Sequence, residues 1–358
     1  MPRKEIAIPF GGRDWDGPRS KKLGFLCRQR ERLAQLGYRG CLGLRGNSLP
    51  IDGWAGQVLN LAIDEGLAVY WHPSFNAMFG IGRTGKLNDE QKKMADLALE
   101  LKSRHGLRHL LVHPDAANFE GYGPKAGFER YYAKHSADYM LRFYENHIGP
   151  LREFNERCGG ILFLENVHRH LFGQKTKHLM YTYEGEQLGG QETPQLAFEV
   201  GCGTGIDSEH FFGLDDPSLA DLARPAGRWT KAQRAWTELT GYRVVKGYVP
   251  EKVRPMSFSE FLYAMAPEIF HLGGPTRLIE DDLATSHLDF DLRLTFHRRL
   301  LLDQINRVEK NGGIIESEVN ADDGTGWSPR PKDNWGYQKT STLKVIRMIE
   351  RYQAGRVN

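Results

Sequence analysis

What this 358-residue chain lacks narrows it first. Its 4 cysteines, Cys27, Cys41, Cys158 and Cys202, include no C-x-x-C spacing, so neither a disulfide framework nor a zinc ribbon is expected and all four read as reduced packing residues. No stretch approaches the roughly 18 consecutive apolar residues that a membrane helix needs, and the opening "MPRKEIAIPFGG" has no signal-peptide core. A cytoplasmic address and no membrane partner are the expectation. Charge of one sign is scarce too: 48 Lys and Arg against 45 Asp and Glu leave a formal +3, which neither announces DNA binding nor excludes it. Internal repeats and low-complexity tracts are absent, which argues against a repeat architecture. What is there is ordinary globular composition, 40% apolar and 26% charged.

Short β-like runs alternate with helical patterns along the whole chain. The candidate strands are "KLGFLC" (22–27), "CLGLR" (41–45), "LAVYWH" (67–72), "HLLVH" (109–113), "GILFLEN" (160–166), "TGIDS" (204–208), "EIFHL" (268–272) and "GIIESEV" (313–319). Helix-like stretches such as "WAGQVLNLAIDEG" and "DEQKKMADLALELKSRHG" lie between them and end in Gly, where a C-cap is expected. Eight βα units in this length predict an α/β fold, a (β/α)8 TIM barrel over residues 21–358; a doubly wound open sheet is the competitor. Residues 1–20 read as a basic leader, about 170–193 and 211–260 as insertions after the fifth and sixth strands, and about 320–339 as a polar, aromatic loop.

"EVGCGTGIDSEH" (199–210) admits two chemistries. Glu199 to Gly205 can be read as a glycine-rich cofactor turn, and Asp207 with His210 as a D-x-x-H metal pair. A Rossmann-type methyltransferase needs a second apolar strand ending in an acid roughly 20 residues later. None follows, so the glycines read instead as a helix C-cap and a tight turn entering the sixth strand.

In a barrel, the C-terminal ends of the strands converge on one mouth, where catalytic groups sit. Those ends carry His72, His113, Glu165, Asp207 with His210, His271 and Glu316, and His287 lies in the loop after the seventh strand. All are metal-ligand types, and imidazoles mixed with carboxylates suit Zn²⁺, Mn²⁺ or Fe²⁺ rather than Ca²⁺ or Mg²⁺. Eight candidates exceed the needs of one ion, so two or three divalent metals bridged by carboxylates are expected, with Glu165, Asp207 and Glu316 as the catalytic acids. Such a centre suits hydrolysis of phosphodiesters. Arg45 and Lys125 can offer charge to a phosphate, and Trp327, Trp335 and Tyr337 can stack on bases.

These residues resemble the UV-damage endonucleases, relatives of endonuclease IV among the xylose-isomerase-like barrels. "KLGFLC" is similar to that family's first strand, "LRGNSLP" to its second-strand arginine and serine motif, and "WHPSF" to its first His-Pro element. "LLVHPDAANFEGYGPKAGFERY", "LFLEN", "IDSEH", "FHLGG" with "SHLDFD", and "IIESE" resemble its later elements in order, from about residue 22 to 320. The resemblance implies a DNA-repair hydrolase that acts on a damaged duplex, with a metal-bound hydroxide as nucleophile and the eight residues above as ligands. Two departures stand out: Ile269 occupies the position of a metal-bridging lysine, and Phe75 and Asn76 replace a Gln-Tyr pair that probes the DNA stack.

Two other classes remain open. A sugar isomerase or epimerase would hold one metal on Glu165, Asp207, His271 and Glu316 against a small-molecule sugar. A barrel that binds DNA without cutting it would have lost part of the ligand set.

Overall fold

A computed structural model of the chain describes residues 2–17, 20–73, 77–78, 80–114, 137–166, 171–173, 179–181, 193–208, 262–263, 265–273, 277–279, 283–285, 289–290, 292–293, 295–318 and 335–356. In chain order the first five strands are β1 (Lys4–Phe10), β2 (Arg39–Arg45), β3 (Ala68–His72), β4 (Leu110–Val112) and β5 (Leu162–Glu165). A small antiparallel hairpin, β6 (Leu171–Gly173) and β7 (Leu179–Tyr181), precedes β8 (Gly203–Asp207) and β9 (Ile269–Leu272). A second hairpin, β10 (Arg277–Ile279) and β11 (Leu283–Thr285), precedes β12 (Gly313–Ser317), which pairs in parallel with β1. Eight parallel strands, β1 to β5 with β8, β9 and β12, thereby close into a barrel. This is the (β/α)8 fold that the βα alternation predicts.

The helices are α1 (Lys21–Gln35), α2 (Trp54–Asp64), α3 (Ile81–Thr84), α4 (Asp89–His105), α5 (Ala137–Arg157), α6 (Thr193–Val200), α7 (Thr295–Asn311) and α8 (Trp335–Gln353). The start of α4 is fixed by a capping box: the Asn88 side chain accepts from Gln91 N at 2.9 Å, and Gln91 Oε1 accepts from Asn88 N at 2.9 Å. Gln91 Nε2 also donates to Ala77 O, which ties this helix start to the segment after β3.

Two expectations fail at the N-terminal end. The first strand is Lys4–Phe10, inside the residues read as a leader, and "KLGFLC" belongs to α1. The resemblance of "KLGFLC" to a first strand therefore does not hold. In α1 the buried residues are Lys22, Leu23, Phe25, Leu26 and Leu33, a helical stripe and not an alternating one. The aromatic loop also ends earlier than expected: Trp335 and Tyr337 lie in α8, where Trp335 meets Phe25 of α1 edge-on at 5.4 Å. The insertion at 211–260 lies outside the described residues, as does most of 170–193, and so does Trp327.

Strand alternation divides the core into two layers. Outward residues such as Ile8, Phe10, Leu42, Leu44, Leu110 and Leu162 pack under the helices. Inward, Ala7, Cys41, Ala68, Tyr70, Leu111, Phe163, Ile269 and Ile314 fill the bore. Glycines let this plug close. A Cβ on Gly205 would lie 2.6 Å from Leu111 Cδ1, and one on Gly203 would overlap the Phe163 ring. "EVGCGTG" is thus a helix stop at Gly201, with a φ of +75°, followed by two bore glycines. The cofactor-turn reading gives way to packing.

Candidate metal centre

The alternation that builds the plug also sets the layer above it. Two residues beyond Tyr70 on β3 comes His72; beyond Leu111 comes His113; beyond Phe163, Glu165; beyond Gly205, Asp207; beyond Ile269, His271; and beyond Ile314, Glu316. All six are buried, with Glu165, Asp207, His271 and Glu316 wholly so. Every one of them sits at or next to the C-terminal end of its strand, so the barrel mouth collects them.

Glu165 is the hub. Its Oε2 lies 2.9 Å from His113 Nε2 and 3.2 Å from His72 Nε2, while its Oε1 lies 2.9 Å from His271 Nδ1. Three sets of side chains offer ligand atoms within 4.8 Å of one another: His72, His113 and Glu165; Glu165, Asp207 and His271; and His72, His271 and Glu318. Neutral imidazoles and carboxylates buried together are the donor set of Zn²⁺, Mn²⁺ or Fe²⁺, so these residues fit a divalent transition metal.

The surrounding hydrogen bonds hold the set in place. His72 Nδ1 lies 3.0 Å from Leu111 O, and Tyr70 Oη lies 3.0 Å from His271 Nε2. Asn166 clamps the backbone of Asp207 from both sides, accepting from its N–H at 2.7 Å and donating to its carbonyl at 3.0 Å. Opposite Glu165, the Arg45 guanidinium contacts Glu316 and reaches Glu318 at 3.3 Å.

Electrostatics follow from this crowding. Burial alone would raise the Glu165 carboxyl, but His271 and His113 outweigh it and hold it well below the usual carboxylate range. Burial would lower His271, yet Glu165 and Glu318 hold its imidazole well above its ordinary value. Burial wins at Glu316, which is pushed up despite Arg45 and His271. The carboxylates and imidazoles thus answer one another's charge at close range, with Glu165 held as the anion among them.

Of the residues singled out from the sequence, His72, His113, Glu165, Asp207, His271, Glu316 and Arg45 come together here. Arg45 contacts acids of the cluster itself, whereas the sequence reading gave it to a phosphate. His210, His287, Lys125, Phe75 and Asn76 lie outside the described residues. Ile269, which the resemblance sets against a lysine of the UV-damage endonucleases, is part of the apolar plug. Sequence reasoning missed Glu318 and Tyr70. The signal was available: "ESE" puts Glu318 on the same face as Glu316, and Tyr70 precedes His72 by the same two-residue step.

No family model matches the chain, and no curated protein does. Among solved structures it is similar to the 3-keto-D-glucoside 4-epimerase of E. coli, at 10% identity over 96% of this chain and 99% of that one, with a TM-score of 0.50. An L-ribulose 3-epimerase is similar at 14% identity, 99% and 97% coverage and a TM-score of 0.48. Endonuclease IV from Thermus thermophilus is similar at 15% identity, 98% and 100% coverage and a TM-score of 0.46. The likeness at a TM-score of 0.50 agrees with the closed barrel and leaves the chemistry to the residues.

Proposed function

We propose that the chain is a metal-dependent phosphodiester hydrolase, with damaged DNA the substrate class to which the sequence resemblance points. The observation that carries this reading is the split carboxylate of Glu165, one oxygen toward His72 and His113 and the other toward His271. A carboxylate shared between two ligand sets is the geometry of a bridge between two ions. His72, His113 and Glu165 would hold one, and Glu165, Asp207 and His271 the other. When bound, such a pair acidifies a water and offsets charge on a phosphate.

The chain's own part is arrangement. Asn166 fixes the strand end from which Asp207 projects, and Arg45 brings positive charge beside Glu316 and Glu318. The apolar plug keeps water from reaching the acids through the bore. Elemental analysis of the purified protein, alongside nicking of a duplex with an abasic site and an Asp207→Ala control, tests the proposal. Two or more transition-metal ions per chain and nicking that disappears in the variant are expected; a single ion with no nicking would overturn it.

A second reading, a sugar isomerase or epimerase, rests on Glu165, Asp207 and His271 forming a ligand set by themselves, with Glu316 Oε1 3.8 Å from His271 Nε2. One ion per chain and conversion of a ketose or aldose would favour it.

A further inference from the structure

We infer that Tyr70 is a positioning residue that fixes the tautomer of His271, so that its Nδ1 rather than its Nε2 faces the metal. The inference rests on the metal-centre reading above and adds a property to it. Tyr70 projects into the bore from β3, one inward step below His72, and its hydroxyl lies 3.0 Å from His271 Nε2. The other ring nitrogen meets two acids: Nδ1 is 2.9 Å from Glu165 Oε1 and 2.9 Å from Glu318 Oε2. Two carboxylate oxygens converging on one nitrogen mark the place of a positive charge.

A neutral imidazole carries one ring proton, and a ligating nitrogen cannot carry it. If Nδ1 faces the ion, the proton sits on Nε2 and needs an acceptor. The Tyr70 hydroxyl, 3.0 Å away, is that acceptor. Glu316, which accepts from Arg45, has its Oε1 3.8 Å from the same Nε2, on the far side of the ring from the two acids at Nδ1. Gly43 leaves the room: a Cβ there would come within 2.8 Å of the Tyr70 ring and overlap the Glu316 carboxylate.

His72 has the reverse assignment. Its Nδ1 donates to the carbonyl of Leu111 at 3.0 Å, which leaves Nε2 to face Glu165 at 3.2 Å. One centre therefore uses two opposite imidazole tautomers, one set by a backbone carbonyl and the other by a buried phenol.

The test is a long-range ¹H–¹⁵N correlation spectrum of the full chain, labelled with ¹⁵N-histidine and loaded with Zn²⁺, with His271 assigned by the spectrum of His271→Gln. The expected result is a proton on Nε2 of His271 and on Nδ1 of His72. Calorimetric titration of Tyr70→Phe with Zn²⁺ should show the weaker of two binding steps loosened about 10- to 100-fold. Ligation of His271 through Nε2 in the wild-type spectrum, which needs no variant to fold, overturns the inference and leaves the two-metal reading standing. So do two Zn²⁺ steps of unchanged affinity in Tyr70→Phe. A wild-type protein that takes up no Zn²⁺ overturns both.

Discussion

Arg45, at the end of β2, lays its guanidinium on the carboxylate of Glu316 from β12, reaching across β1, which lies between those strands. The Glu316 side chain is 0% exposed and that of Arg45 20%, so the pair is largely removed from water. Arg45→Met would strand a buried carboxylate without its cation. Breaking such a pair costs about 3–5 kcal/mol, and the urea midpoint at neutral pH should fall accordingly. An unchanged midpoint would mean that Glu316 needs no cation from β2.

Gly43→Ala tests the clearance on the same strand. Its Cβ would press on the Tyr70 ring and the Glu316 carboxylate, both fixed by the plug and the hydrogen bonds around them. Overpacking of this kind costs about 1–3 kcal/mol, read as a lowered Tm. Metal uptake should weaken alongside, because Glu316 and His271 both move. A variant as stable as the parent, with the same uptake, would show that the bore has slack.

Glu165→Gln keeps the shape of the hub and removes its charge. If the proposed two-metal hydrolase reading holds, ion content should drop from two per chain to one or none, and hydrolysis should fall at least about a hundredfold, equivalent to about 2.7 kcal/mol of barrier. Retention of both ions would rule out Glu165 as the bridge.

Acid stability should depend on Glu309 of α7, remote from the cluster. Burial would raise this carboxyl, but hydrogen bonds from Lys4, Gln353 and Tyr38 outweigh it and hold it below the ordinary range. A depressed carboxyl contributes stability above its unfolded pKa and loses that contribution as pH falls through the folded value. Glu309→Gln should therefore lose about 1–2 kcal/mol at pH 7, as expected for bonds to a charged acceptor, and show a flatter acid limb. Parallel urea curves for parent and variant from pH 7 to the acid transition would decide against it.

The later strands were legible because their apolar runs are short, bounded by Gly or charge, and end in a residue that no core would accept unpaired. The first strand was not. "KEIAIPF" starts with two charges and carries a proline without an N–H, features that read as a leader. "KLGFLC" was the better apolar run, and a run of that length cannot tell a buried strand from the buried face of a helix. In the site, the residue types at the strand ends were visible in the sequence, but which oxygen of Glu165 faces which imidazole is set by barrel closure. The pairing of Arg45 with Glu316 was equally hidden, since 271 residues separate the two in the chain.

The plug of Ala7, Cys41, Ala68, Tyr70, Leu111, Phe163, Ile269 and Ile314 makes the barrel a cup rather than a pipe. Among the described residues, the way to the acids from below is filled by side chains, which leaves the mouth as the side of approach. Arrival and departure at the acids would then share that side.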